Sequence, residues 1–395
     1  YPSGLPIWPE ETLEDIIVNY RVDRCILSYS DLHHQDVMDL AERVLAIGAD
    51  FGFLGGRHTM LKSKKKVIAV CAVRTGAGKS QVVRYIADVI RKAGFKAVVV
   101  RHPMPYGNLV DEAVQRFSSR ADLDGANLTI EEREEYERHI SKGTVVYAGV
   151  DYQAILDRAE EEADVIVWDG GNNDTPFFKP DLWITVADAL RPGHETLYYP
   201  GETNFRAADI IVINKANSAA EEDIIAIEAN AARLNPKASV VVAGSEVRAE
   251  DPEIIRHKRV LVIEDGPTIT HGEMAYGAGE VAARMNEASE IIDPRPYAVG
   301  SLKELFSKFR HIGRVLPAMG YYPEQIRELE ETINRADCDS VVIASPIDLR
   351  RLIKIDKPST YVLYDLLDMD RPFLREKIEE FVSRMRADAE HSREG

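Results

Sequence analysis

Along the chain, short continuous apolar runs rich in Val and Ile alternate with stretches in which apolar residues recur every three or four positions. The first pattern suits strands covered on both faces and the second suits amphipathic helices, so their alternation predicts α/β units built on parallel sheets. The clearest series starts at Lys66. The run VIAVCAV passes through a glycine-rich turn into a helix over residues 81–93, then a strand in KAVVVRHP and helical stretches near 130–140 and 152–162. Strands in DVIVWDGG, LWITVAD and ADIIVINKAN, a helix over 220–234 and a strand in ASVVVAG complete this unit near residue 250. A further α/β run opens at RVLVIEDG, with strands in EIID, RVLPA, DSVVIAS and TYVLYDL and a last helix over 372–387.

Upstream of Lys66 the pattern reads as an extended GLPIW, a helix over 11–20, a strand in RCILSYS, a helix over 35–46 and a short strand in DFGFL. That is half of a doubly wound domain, which would ordinarily open with a strand and a glycine turn, so a truncated or missing segment is expected before Tyr1. The expected organisation is therefore a partial Rossmann-like domain over 1–63, a P-loop nucleotide-binding domain over 64–250 and an α/β domain over 251–395. A chain of 395 residues with 45% hydrophobic positions can bury more than one core.

A formal net charge of -17 argues against a nucleic-acid partner, which needs clustered Lys and Arg, and makes any anion site local. Three isolated cysteines, Cys25, Cys71 and Cys338, fit a reducing cytoplasmic setting better than a disulfide framework or zinc site. No apolar run approaches the roughly 18 residues of a membrane helix.

The chemistry concentrates in CAVRTGAGKS, Cys71–Ser80 in number, where an apolar strand meets a helix. The usual phosphate-loop pattern G-x-x-x-x-G-K-[ST] fails at its first glycine, which is Val73 here. Thr75, Gly76, Ala77, Gly78, Lys79, Ser80 and Gln81 still form a loop entering a helix N-terminus, where backbone amides and the macrodipole favour phosphate. Lys79 is expected to reach the β and γ oxygens of ATP (or GTP), and Ser80 to bind Mg²⁺.

Other strand ends carry further candidates. Asp169 closes DVIVWD and suits Mg²⁺, with Gly170 and Gly171 allowing close approach to a γ-phosphate. Asn214, Lys215 and Asn217 resemble the N-K-x-D base-reading motif, but an amide at 217 in place of a carboxylate leaves adenine and guanine both open. Arg101 and His102 in RHPMPYG, and Arg191, His194, Glu202 and Asn204 in RPGHETLYYPGETNF, point to a small anionic substrate, since Arg forks onto phosphate or carboxylate. Thr270 and His271, with Gly277 and Gly279, either shape an anion pocket or serve close packing.

RTGAGKS resembles the deviant loop K-G-G-x-G-K-[ST] of the NTPase group that contains nitrogenase iron protein and dethiobiotin synthetase, with Arg74 at the signature lysine. In that group the residue often reaches a partner subunit's phosphates, which implies Arg74 acting in trans within a homodimer or higher homo-oligomer. Over nearly the whole chain, RTGAGKS, VVVRHPMPYG, DVIVWDGGNND, RPGHETLYYPGETNFRAADIIVINKAN, EDGPTITHGEMAYGAG and DPRPYAVGS resemble the cyclic 2,3-diphosphoglycerate synthetase-like family. That resemblance implies an ATP-dependent enzyme that closes an intramolecular phosphoanhydride and releases ADP and phosphate. The reading of the residues is thus a P-loop synthetase in which Arg74, Arg101 and Arg191 neutralise charge; its alternatives are a carboxylate-activating ligase and a GTPase switch or metal-delivery chaperone. The chaperone reading lacks the His-rich tract or paired cysteines that would hold metal.

Overall fold

In the computed structural model, residues 5–102, 108–126, 128–170, 174–318, 322–345, 348–369 and 373–394 are described. The molecule is α/β, and its organising element is a single 13-stranded sheet. Its centre is the strand Lys66–Ala72, flanked by Val165–Asp169 on one side and Leu182–Asp188 on the other, all parallel. From Val165–Asp169 the sheet continues to Ala97–Arg101, Val145–Ala148 and Gln115–Phe117. From Leu182–Asp188 it continues to Ile210–Asn214 and Ser239–Ala249.

At that edge the sheet does not stop. Ser239–Ala249 pairs antiparallel with Ser359–Asp368, which in turn pairs parallel with Ser340–Ala344, and Arg259–Asp265 follows. The sheet therefore runs unbroken past residue 250, where the sequence pattern suggested a boundary.

Alternation along the central strand sets the layers. Ile68, Val70 and Ala72 join the core beneath the helix Lys79–Lys92, while Val67 and Ala69 join the opposite core with Ile155, Leu156 and Ala159 of the helix Tyr152–Glu162. The helix Leu374–Glu394 returns across the molecule: Leu374, Ile378, Phe381 and Val382 belong to the first of these cores. The last element of the chain is thus packed with the glycine-loop helix. A separate core of Val260, Leu261, Val262, Ile263, Leu329 and Ile333 supports the strand Arg259–Asp265.

The N-terminal region forms one βαβ unit, with Arg24–Ile26 parallel to Asp50–Gly52 and the helix His34–Ile47 between them. Leu32–His33 pairs antiparallel with Tyr198–Tyr199, which pins this unit beside the glycine loop. The strands Gln115–Phe117 and Val145–Ala148 were not foreseen; at three and four residues they are too short to show a period. Among the described residues, no helix is long and apolar enough to cross a membrane.

Candidate active site

The strand Lys66–Ala72 is buried beyond its first residue and delivers the chain into the loop, and the helix Lys79–Lys92 begins directly after Gly78. Gly76 (φ +80°) and Gly78 (φ +98°) lie in the left-handed region that favours glycine. At Gly78 space forbids anything larger, since a Cβ would lie 2.1 Å from Asn214 Nδ2.

Three successive loop carbonyls are held by side chains from neighbouring strand ends. Arg191 Nη2 donates to the Thr75 carbonyl at 2.8 Å, Lys215 Nζ to that of Gly76 at 2.6 Å, and Asn214 Nδ2 to that of Ala77 at 2.9 Å. At this helix N-terminus, Gly76 through Gln81 line a cavity of about 590 Å³.

Behind the loop lies a buried charge cluster. Lys79 Nζ is 2.5 Å from Asp169 Oδ1 and also donates to the Gly170 carbonyl. Arg101 Nη1 reaches the same Asp169 oxygen at 2.7 Å, and His139 Nε2 is 3.6 Å from the other. Burial by itself would raise the Asp169 carboxyl, but Arg101, Lys79 and His139 outweigh it and hold it well below the usual range. Burial, reinforced by Arg101, lowers Lys79, and burial lowers His139 against the pull of Asp169. Glu135, on the helix Ile130–Ser141, takes Arg101 Nη2 at 2.6 Å and lies 3.4 Å from the Ser80 hydroxyl. Ser80 and Glu135 line the cavity, while Asp169 is fully buried at their back, with Oδ2 accepting no hydrogen bond among the described residues. An all-oxygen set of this kind suits a hard divalent cation.

The cavity brings together Arg74, Thr75, Gly76, Ala77, Gly78, Lys79, Ser80, Gln81, Arg101, His102, Lys215 and His271 of the expected residues. His102 pairs with Asp174 at 3.3 Å. Others lie elsewhere for identifiable reasons. Asn217 is held by one residue of the next strand, its Oδ1 accepting from Ser245 N at 2.8 Å and its Nδ2 donating to Ser245 O at 3.0 Å, so both polar atoms of its amide are occupied. Arg191 bridges the carbonyls of Thr75 and Gly272 and pairs with Asp188, which makes it a tie between loops. Glu202 pairs with Arg206 on its own helix. Asn204 is fully buried, and its carbonyl accepts from Thr185. Thr270 donates to the Gly266 carbonyl. His194 sits 3.4 Å from Arg74, and burial together with Arg191 and Arg74 lowers it to about 4.

Arg74 is 2% exposed. It pairs with Asp31 and Glu273, donates to the His271 carbonyl and lies over the Tyr198 ring at 3.7 Å. Its guanidinium thus has partners inside its own chain. Gly277 and Gly279 serve close packing: together with Glu280 they donate backbone N–H groups to Glu264. Gly171 lies outside the described residues.

Sequence reasoning overlooked Glu135, Asp174, Glu264 and Asp265 on the cavity wall. A usable signal existed for the last two, because RVLVIED ends an apolar strand in acids just as DVIVWD does.

No family model matches the sequence. Over 381 residues, 96% of this chain and 85% of the relative, it is 55% identical to arginine synthetase ArcE of Thermococcus kodakarensis. The chain belongs to the family of that arginine synthetase. By that relationship this member of the ArcE family is a nucleotide-dependent ligase. Among solved structures, LpxK from Aquifex aeolicus in complex with ATP is 14% identical, with a TM-score of 0.47 over 84% of this chain and 91% of that one. Cobyrinic acid a,c-diamide synthase from Mycobacterium smegmatis, with a bound ATP analogue and magnesium, is 15% identical, with a TM-score of 0.21 over 46% and 72%. Both likenesses are distant, and the family assignment rests on the sequence relative.

Proposed function

We propose that the chain is an ATP-dependent synthetase that forms arginine. The observation that carries this reading is the 55% identity, across 96% of the chain, to a protein of that name. The loop supports the nucleotide half of it. Helix amides and Lys79 are set to stabilise the transferring phosphoryl group, and Asp169 holds the lysine in position before any ligand arrives. Ser80 would hold Mg²⁺, with the carboxylates of Glu135 and Asp169 nearby; when bound, the ion offsets charge on the β and γ oxygens. Arg101, fixed between Asp169 and Glu135, presents its edge to the same space. A ligase of this type moves a phosphoryl group onto a carbon-bound oxygen, which then leaves as phosphate when nitrogen attacks the carbon.

The motif resemblance favours a second reading, closure of 2,3-diphosphoglycerate to its cyclic anhydride. That substrate is strongly anionic, and the cations it would enlist are already matched: Arg74 by Asp31, Arg101 by Asp169 and Glu135, and Arg191 by Asp188. The charge balance therefore favours the arginine reading.

The test runs the reaction backward. Protein, Mg²⁺, ADP, phosphate and arginine are combined with glucose and hexokinase to trap ATP, and glucose 6-phosphate is read by ³¹P NMR. The expected result is product that depends on both arginine and this protein. No product with arginine, together with ATP consumption that requires 2,3-diphosphoglycerate, overturns the proposal in favour of the second reading.

A further inference from the structure

The strand Arg259–Asp265 ends on the same cavity as the phosphate loop, and the segment after it packs directly against that loop. A Cβ on Gly76 would lie 3.2 Å from Thr268 Cγ2, and Arg191 joins the Thr75 and Gly272 carbonyls at 2.8 and 2.5 Å. The spacing between the loop and the end of this strand is therefore set by contact, as required where a donor and an acceptor must meet.

The two sides of the cavity differ in charge balance. On the loop side the cations have carboxylate partners: Lys79 has Asp169, Arg101 has Asp169 and Glu135, and Lys215 has Asp188. On the opposite side, Asp265 makes no ion pair among the described residues and accepts a hydrogen bond from the Thr268 hydroxyl. Burial raises this carboxyl to about 6 and nearby Glu135 adds to the shift, while the Thr268 hydrogen bonds and the charge of Arg138 oppose it without cancelling it. Tyr276, Val281 and Tyr364, whose ring carries the Arg138 guanidinium 4.3 Å from its centroid, also line the cavity and offer apolar surface. A carboxylate whose neighbouring cation, Arg138, makes no contact ion pair with it, beside partly apolar walls, matches a ligand that carries a cationic nitrogen on an aliphatic stem.

We infer that Asp265 is the cation-binding residue of an amino-acid subsite, where it receives the guanidinium of arginine across the cavity from the phosphate loop. This rests on the arginine-forming reading above. It makes Asp265 a specificity-determining residue, with Thr268 orienting its carboxylate.

The experiment is calorimetric titration of L-arginine into protein saturated with ADP and Mg²⁺, for the wild type and for Asp265→Asn, with ADP affinity measured on both as the check of folding. Removing one charge-assisted contact is expected to weaken arginine at least about tenfold and leave ADP affinity within about twofold. Equal arginine affinity in the two proteins, with ADP still bound, overturns the subsite while leaving the synthetase reading intact. If the wild type binds no arginine and forms no ATP in the reverse reaction, the synthetase reading itself falls and takes the subsite with it. A variant that loses ADP is replaced by Thr268→Val, which removes only the hydroxyl that orients Asp265 and is expected to weaken arginine by a smaller factor; unchanged affinity there also counts against the subsite.

Discussion

Arg74 Nε lies 2.8 Å from Asp31 Oδ1, an ion pair between the phosphate loop and the N-terminal unit in which the two side chains are 2% and 8% exposed. Breaking it by Arg74→Ala leaves Asp31 buried without its partner, at an expected cost of about 3–5 kcal/mol. With the guanidinium matched by Asp31 and Glu273 of its own chain, mixing Arg74→Ala with Lys79→Ala is expected to restore no activity. Recovery in mixed oligomers would reinstate a role across subunits.

Lys79→Ala is expected to lower turnover by on the order of 10²–10³-fold, since one preset donor to the developing charge is lost. Asp169 keeps Arg101 as a partner, so the fold should persist. Turnover and far-ultraviolet circular dichroism on the same sample check both halves; unchanged turnover would make the loop structural.

Gly78→Ala puts a methyl against Asn214 Nδ2 and forces a side chain into φ +98°. The backbone strain alone costs about 1–3 kcal/mol, and the collision displaces the amide that holds the Ala77 carbonyl. Nucleotide binding should fail. Gly94→Ala is the control: its φ is +87° but nothing lies within 4 Å, so stability drops without loss of nucleotide.

Asn217→Asp replaces the Nδ2 that donates to the Ser245 carbonyl with an oxygen that faces it. The expected outcome is a loss of about 1–2 kcal/mol in stability and no change in the ratio of ATP to GTP use. A shift of that ratio toward GTP would show Asn217 at the base after all.

Burial raises Glu264 from 4.5 to about 7, even though three backbone N–H groups favour its charged form. The native state therefore binds this proton more tightly than the unfolded chain does. Its stabilising contribution is complete below pH 4.5 and is lost as pH rises through about 7. The shift corresponds to on the order of 3 kcal/mol at most. Glu264→Gln stays neutral throughout, so its urea midpoint should fall less than that of the wild type between pH 5 and pH 8. Equal falls would place the titration elsewhere.

The elements that depend on local order are legible in the amino-acid order alone. The run VIAVCAV, the turn RTGAGKS and the amphipathic stretch after it specify strand, loop and helix within 30 residues, because glycine conformations and hydrophobic periods are properties of neighbouring positions. The place of Lys79 and Ser80 at a strand-to-helix turn was legible for that reason, as was that of Asp169 at a strand end. What Asn217, Arg191 and Arg74 do was not, because their partners Ser245, Gly272 and Asp31 are distant in sequence, and the same motif is equally able to face a ligand or a neighbouring backbone. Tertiary structure also decided that one sheet spans residue 250, through the pairing of Ser239–Ala249 with Ser359–Asp368, and that the C-terminal helix shares a core with the loop helix. Only that return brings the end of the strand Arg259–Asp265 to the phosphate loop, so that Asp265 and Lys79, 186 positions apart, line one cavity. Pairing across such separations is selected by burial of whole faces, a quantity that no short stretch of sequence contains.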